Sequence, residues 1–164
     1  MSVLWGRSTL LSLPVASSGQ TVTFADPVLE YLSHHRQTRN PQPEAGGQLF
    51  ASIRGPEIFV SDITGPRKTD KRFRFLYIPD RKAEQDEIDV RFKLGLHYVG
   101  DWHTHPEPAA EPSSQDLQSM RECVRKSRHQ LNAFLLVIVG SAMVPTCLHV
   151  SLHSGSEVVA LLGG

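Results

Sequence analysis

The run AFLLVIVG, Ala133 to Gly140, contains no polar side chain. It is short, rich in Val and Ile and closed by a glycine, so it reads as a strand rather than a helix. With no polar alternate position, such a strand must be covered on both faces. The chain must therefore supply neighbouring strands and a layer of helices, and its 164 residues are enough for one core of that kind. Hydrophobic residues make up 40% and charged residues 21%, a balance that favours a packed chain over a disordered one.

Other segments supply those partners. Val3 to Leu13 reads as an N-terminal strand ended by Pro14. In ADPVLEYLSHHRQ, Asp26 as N-cap and Pro27 at the first helical position start a helix with Val28, Leu29 and Leu32 inward. GQLFASI and EIFVSDIT read as a strand pair turning at Arg54-Gly55-Pro56. RFRFLYI reads as a further strand. Asp80 opens a helix that runs to about Leu94 and stops at Gly95. LHYVGDW reads as a strand, and Ser113 to about Ser127 as a helix with Leu117, Met120 and Val124 inward. CLHVSLH and EVVALL form a last hairpin. The fold class expected is α+β: a mixed β-sheet flanked by about three helices, in a single domain over residues 1–164.

The chemistry is concentrated in GDWHTHPEPAAEPSSQD, Gly100 to Asp116. On an extended segment His103 and His105 point to the same side, with Thr104 turned away. Ser113 and Asp116 have the spacing of an N-cap and an acidic N3 residue, so a helix start can swing the Asp116 carboxylate toward the imidazoles. Pro106, Pro108 and Pro112 stiffen the connection. Two neutral imidazoles and one carboxylate suit Zn²⁺, with a fourth position left for water. Hydrolysis there also needs a proton carrier, and Glu44 is the candidate. It precedes Gly46-Gly47, where the backbone can pass close to a neighbour and leave space for a substrate. Ser113 is read as a helix cap, a donor to a developing oxyanion, or both. Trp102 is read as packing behind the site.

The remaining signals are plainer. Lys+Arg and Asp+Glu are both 17, which argues against a nucleic-acid or membrane-surface binder. Cys123 and Cys147 read as thiols in a reducing compartment. The N-terminal apolar patch is interrupted by Arg7, Ser8, Thr9 and Ser12, so a secretory signal is disfavoured and the expected location is the cytoplasm. His97 reads as strand-borne, and His34, His35, His129, His149 and His153 as surface or hydrogen-bonded. RKTDKRFRF, Arg67 to Phe75, reads as a solvated loop and edge strand, with a docking patch for an acidic protein as the alternative. The Gly163-Gly164 end reads as a frayed terminus.

Glu44 with Gly46-Gly47, His103-Thr104-His105-Pro106, Ser113 and Asp116 together resemble the signature of the JAMM (JAB/MPN+) metalloprotease family. The order of elements agrees over nearly the whole chain. The resemblance implies a zinc isopeptidase, deubiquitinase-like, with a fold related in shape to cytidine deaminases. It implies His103, His105 and Asp116 as metal ligands, Glu44 as general acid/base and Ser113 as oxyanion helper. It also implies a protein substrate with an extended C-terminal tail, of the ubiquitin, ubiquitin-like or otherwise conjugated kind. The size and motif look most like bacterial stand-alone JAB proteins. In antiphage CBASS systems, such proteins remove a conjugate formed through the C-terminus of a cyclic-oligonucleotide synthase. Two alternatives remain: processing of a sulfur-carrier protein, and a non-catalytic MPN-like scaffold. Nucleobase deamination is disfavoured, because the P-C-x-x-C that must pair with an H-x-E is missing.

Overall fold

A computed structural model describes residues 11–126, 133–155 and 157–163. Ten strands and three helices are found among them: β1 (Leu11–Val15), β2 (Gln20–Phe24), α1 (Asp26–His34), β3 (Gly46–Arg54), β4 (Glu57–Ile63), β5 (Lys71–Phe73), β6 (Leu76–Ile78), α2 (Arg81–Lys93), β7 (His97–Thr104), α3 (Ser114–Lys126), β8 (Phe134–Val139), β9 (Leu148–His153) and β10 (Val158–Leu162). Eight strands form one sheet in the order β1-β2-β4-β3-β7-β8-β9-β10, and β5-β6 form a separate pair. β2/β4 and β7/β8 are parallel and the other neighbours antiparallel, so the sheet is mixed, as expected. The sheet curls until β1 and β10 approach one another.

All six residues of β8 are buried. Alternation divides them between two cores. Leu135, Val137 and Val139 join the larger core, with Val28 and Leu32 of α1. Phe134, Leu136 and Ile138 face the other side, where Met120 of α3 and Ala110 close over them. The strand therefore sets the distance between the sheet and the helix that carries Asp116.

Several local expectations need correction. Ala25, not Asp26, caps α1, with no side-chain bond, and a proline occupies the N1/N2 region. Ala25 N–H still bonds Val60 O at 3.0 Å, so the chain leaves the sheet one residue earlier than its polar residue suggests. Pro14 lies inside β1 rather than after it, which an edge strand tolerates. The Val3 to Leu10 part of that expectation lies outside the described residues, as do His129 and Ser127. RFRFLYI is not one strand. It folds back as the β5–β6 hairpin, pairing Phe73 with Leu76. Phe73 and Phe75 are 56% and 69% exposed, so no buried face holds the segment straight. α2 behaves as read: Asp80 accepts from Lys82 and Ala83 N–H, and Gly95 at φ 81° follows its end.

His149 and His153 are 9% and 2% exposed, so neither is a surface residue. They share one face of β9 with Ser151, whose Oγ lies 2.7 Å from His153 Nε2. Trp102 is 1% exposed and its indole N–H bonds Thr64 O at 2.9 Å, which places it in the core.

Candidate metal centre

β7 carries His103 between Gly46 of β3 and Ile138 of β8. His105 follows just past the strand, where its N–H bonds Val139 O at 3.0 Å and prolongs the parallel ladder. The two imidazoles therefore sit on one side, with ring centroids 5.2 Å apart. Thr104 points the other way and is fully buried.

Asp116 comes from the first turn of α3. Its N–H donates to Ser113 Oγ at 3.1 Å, and Ser113 N–H donates back to Asp116 Oδ2 at 2.7 Å. This reciprocal box satisfies two donors at the helix start and fixes the aspartate. Asp116 Oδ1 then lies 2.8 Å from His103 Nε2, and Oδ2 lies 3.2 Å from His105 Nε2. Donor atoms of His103, His105 and Asp116 all lie within 4.8 Å of one another. Despite its 2.8 Å approach to the carboxylate, His103 Nε2 is buried without a hydrogen-bond partner. A ring nitrogen without a proton partner, beside a second imidazole and a carboxylate, is a donor set that fits a divalent ion such as zinc.

The electrostatics follow from this proximity. Burial alone would raise the Asp116 carboxyl, but the adjoining imidazoles and the Ser113 N–H hold it far below the usual carboxylate range. Burial alone would lower His105, but Asp116, with Glu44 and Glu107 adding, raises it. Glu44 is 5% exposed, and its carboxyl is pushed up to about 7. Loss of water is the main cause; His105 opposes it, while Asp116 and Glu107 add to it.

Glu44, His103, His105, Ser113 and Asp116 line one cavity of about 300 Å³. Gly46 and Gly47 make its wall possible. A Cβ on Gly46 would meet the Tyr77 ring at 2.7 Å, and one on Gly47 would meet Thr64 O at 1.8 Å. The cavity continues past Asp101, Glu84 and Arg81, which the sequence reading did not single out. The Asp101 carboxyl is pushed up to about 7 by burial, with Glu84 adding and the Tyr98 hydroxyl opposing. Its position two residues before His103 on the same strand face was the signal available for it. Gln37, buried just after α1, belongs to no such pattern.

The basic stretch is mostly committed internally. Arg67 Nε bonds Glu87 at 2.6 Å, Arg72 Nε bonds Glu44 O at 2.7 Å, and Arg74 bonds the Asn40 side chain. Lys68 and Lys71 are exposed. The five cations therefore do not form one free basic patch.

The curled mixed sheet is shared in outline by solved proteins. A solution structure from Desulfitobacterium hafniense matches 86% of this chain and 90% of its own with a TM-score of 0.62 at 18% identity. One from Salinibacter ruber matches 86% and 90% with a TM-score of 0.52 at 20% identity. These likenesses define the fold class. Residues 26–152 match the profile of the prokaryotic homologs of the JAB domain, and the chain belongs to that family. Among curated relatives, a CD-NTase/cGAS isopeptidase of Pseudomonas aeruginosa is 31% identical over 136 residues, covering 81% of this chain and 83% of the relative. A CD-NTase/cGAS isopeptidase of Vibrio cholerae is 35% identical over 118 residues, covering 69% and 72%. A probable metalloprotease of Sinorhizobium fredii is 41% identical over 58 residues, covering 33% and 35%.

Proposed function

We propose that this protein is a zinc-dependent isopeptidase that hydrolyses the amide joining a protein's C-terminal tail to its target. The observation that carries the reading is the convergence of His103, His105 and Asp116 beside a desolvated glutamate in one cavity. His103, His105 and Asp116 are assigned to hold the ion. Zinc bound there supplies an acidified water and a Lewis acid for the scissile carbonyl.

Glu44 is assigned the proton transfers. Burial pushes its carboxyl up to about 7 in the metal-free protein, and a carboxylate beside the ion can take a proton from the attacking water and return it to the departing amine. The C–N bond breaks as the new C–O bond is kept, leaving a carboxylate and a lysine or α-amine. Ser113 stands at the cavity rim, where its hydroxyl can donate to the oxyanion while its oxygen still caps α3.

The relatives' names favour a CD-NTase as the conjugated substrate. Attachment through the C-terminus of that cyclic-oligonucleotide synthase, in antiviral CBASS defence, is our extension from the family resemblance. A ubiquitin-like tail meets the same chemistry. A cytoplasmic setting suits either. No described helix is long and apolar enough to cross a membrane.

Glu44→Ala should keep one zinc per chain and lose cleavage of a model conjugate by 100-fold or more, roughly the value of a positioned acid/base. His103→Ala should lose both metal and cleavage. Zinc content by elemental analysis and chelator-sensitive cleavage check the pair. Wild-type cleavage by Glu44→Ala, or metal-free purified protein that cannot be loaded, would overturn the assignment.

A further inference from the structure

We propose that Gln37, acting through Thr104, is the positioning residue that fixes Glu44 against the histidine-bearing strand. The proposal rests on the hydrolytic reading given above. Gln37 follows α1, outside every motif, yet it is only 4% exposed. Its amide nitrogen donates to Gln42 O at 3.0 Å and to Arg74 O at 3.1 Å. Its amide oxygen accepts from Thr104 Oγ1 at 2.8 Å. Thr104 Oγ1 in turn accepts from Ala45 N–H at 2.9 Å, and Thr104 N–H donates to Ala45 O at 2.8 Å.

One side chain thus ties together three segments. These are the stretch entering Glu44, the β5–β6 hairpin, and the residue between the two histidines. The hairpin completes the hold: Glu44 N–H donates to Phe73 O at 2.7 Å, and Arg72 Nε donates to Glu44 O at 2.7 Å. Among the described residues no hydrogen bond reaches the Glu44 carboxylate itself. Its place relative to His103 and His105 is therefore set by its main chain, and the main chain on both sides of it is set by Gln37 and Thr104. A planar amide suits this task because it offers two donors and an acceptor in fixed directions. Both ends are buried, so each lost bond leaves an unpaired group rather than one that water can rescue. A displacement of about 1 Å at a reacting group can cost on the order of 100-fold in rate.

The test uses Gln37→Met, which keeps length but removes both polar ends, and Thr104→Val with Thr104→Ser. Each purified protein is titrated with zinc, assayed for conjugate cleavage, and followed by hydrogen exchange at the Ala45 amide. In Gln37→Met and Thr104→Val, kcat should fall about 10- to 100-fold while KM and zinc affinity stay within about two-fold. Ala45 exchange should quicken in both, and Thr104→Ser should recover most of the loss. In a Glu44→Gln background, Gln37→Met should cost nothing further, because the two residues act through one group. Unchanged kcat, a loss that persists in that background, or zinc affinity falling in step would overturn the proposal. If wild-type protein binds zinc but cleaves nothing, the hydrolytic reading fails by itself. The exchange measurement still decides whether Gln37 holds the segment, and undiminished Ala45 protection would refute it. Should Gln37→Met fail to fold, Thr104→Val, which removes only a hydroxyl, carries the same comparison.

Discussion

Glu44, the proposed proton carrier, opposes folding at neutral pH in metal-free protein. In an unfolded chain its carboxyl ionises near 4.5, and in the folded, metal-free protein near 7. Between those values the unfolded state releases a proton that the folded state keeps. Folding is therefore progressively disfavoured as pH rises from about 4.5 to 7, and the loss is complete above that. A glutamine cannot ionise and escapes it. Relative to wild type, Glu44→Gln in metal-free protein should gain about 2 kcal/mol between pH 5 and pH 8. Urea unfolding at the two pH values measures this, and parallel pH dependence would contradict it. At this scale the sequence was informative where spacing alone carries the message. Two histidines at i and i+2 before a capped aspartate can converge with little help from the rest of the chain. Gln37 was invisible because a single glutamine after a helix belongs to no pattern. Its partners lie 5, 37 and 67 residues away, brought together only by tertiary packing.

At the level of elements, the start of α3 joins the Ser113 cap and the proposed ligand Asp116 in one turn. Ser113→Ala should cost about 1 kcal/mol of stability through the lost cap. It should also weaken zinc binding, because the Asp116 N–H loses the acceptor that orients its turn. Ser113→Asp separates the two roles. An ionised aspartate caps well but has no proton to donate, so stability should hold, whereas cleavage should fall by about 100-fold if the hydroxyl supports the oxyanion. Equal kcat for Ser113→Asp and wild type would leave Ser113 as a cap alone. The helices and the buried β8 could be read in advance: α1 and α3 from the spacing of their apolar residues, α2 from Asp80 and Gly95 at its ends, and β8 from an unbroken apolar run. The β5–β6 hairpin could not, because alternating Arg and Phe mimics a half-buried strand. The deciding fact is that no face covers those rings. β9 was recognised as a strand, but nothing in CLHVSLH says that α3 and its core would bury the polar face with His149 and His153.

For the whole molecule, the proposed ligands lie on two parts that meet only on folding. His103 and His105 belong to the sheet, while Asp116 belongs to a helix held down by the small cluster around Met120 and Phe134. An ion binding the folded state alone should stabilise it by about 3–4 kcal/mol at free zinc 100 to 1,000 times the dissociation constant. Thermal unfolding with zinc and with excess chelator should show a higher Tm in zinc. His103→Ala should abolish the difference, and equal midpoints in wild type would argue against a metal coupled to folding.

The approach of β1 to β10 has its own effect on behaviour at high concentration. An open sheet leaves two rows of unpaired amides and carbonyls that can recruit strands from other copies. Here the first and last described strands lie close together without being hydrogen-bonded to each other, like the two ends of a bent ribbon. A strand arriving from another copy would have less room at either margin than at the edge of a flat sheet.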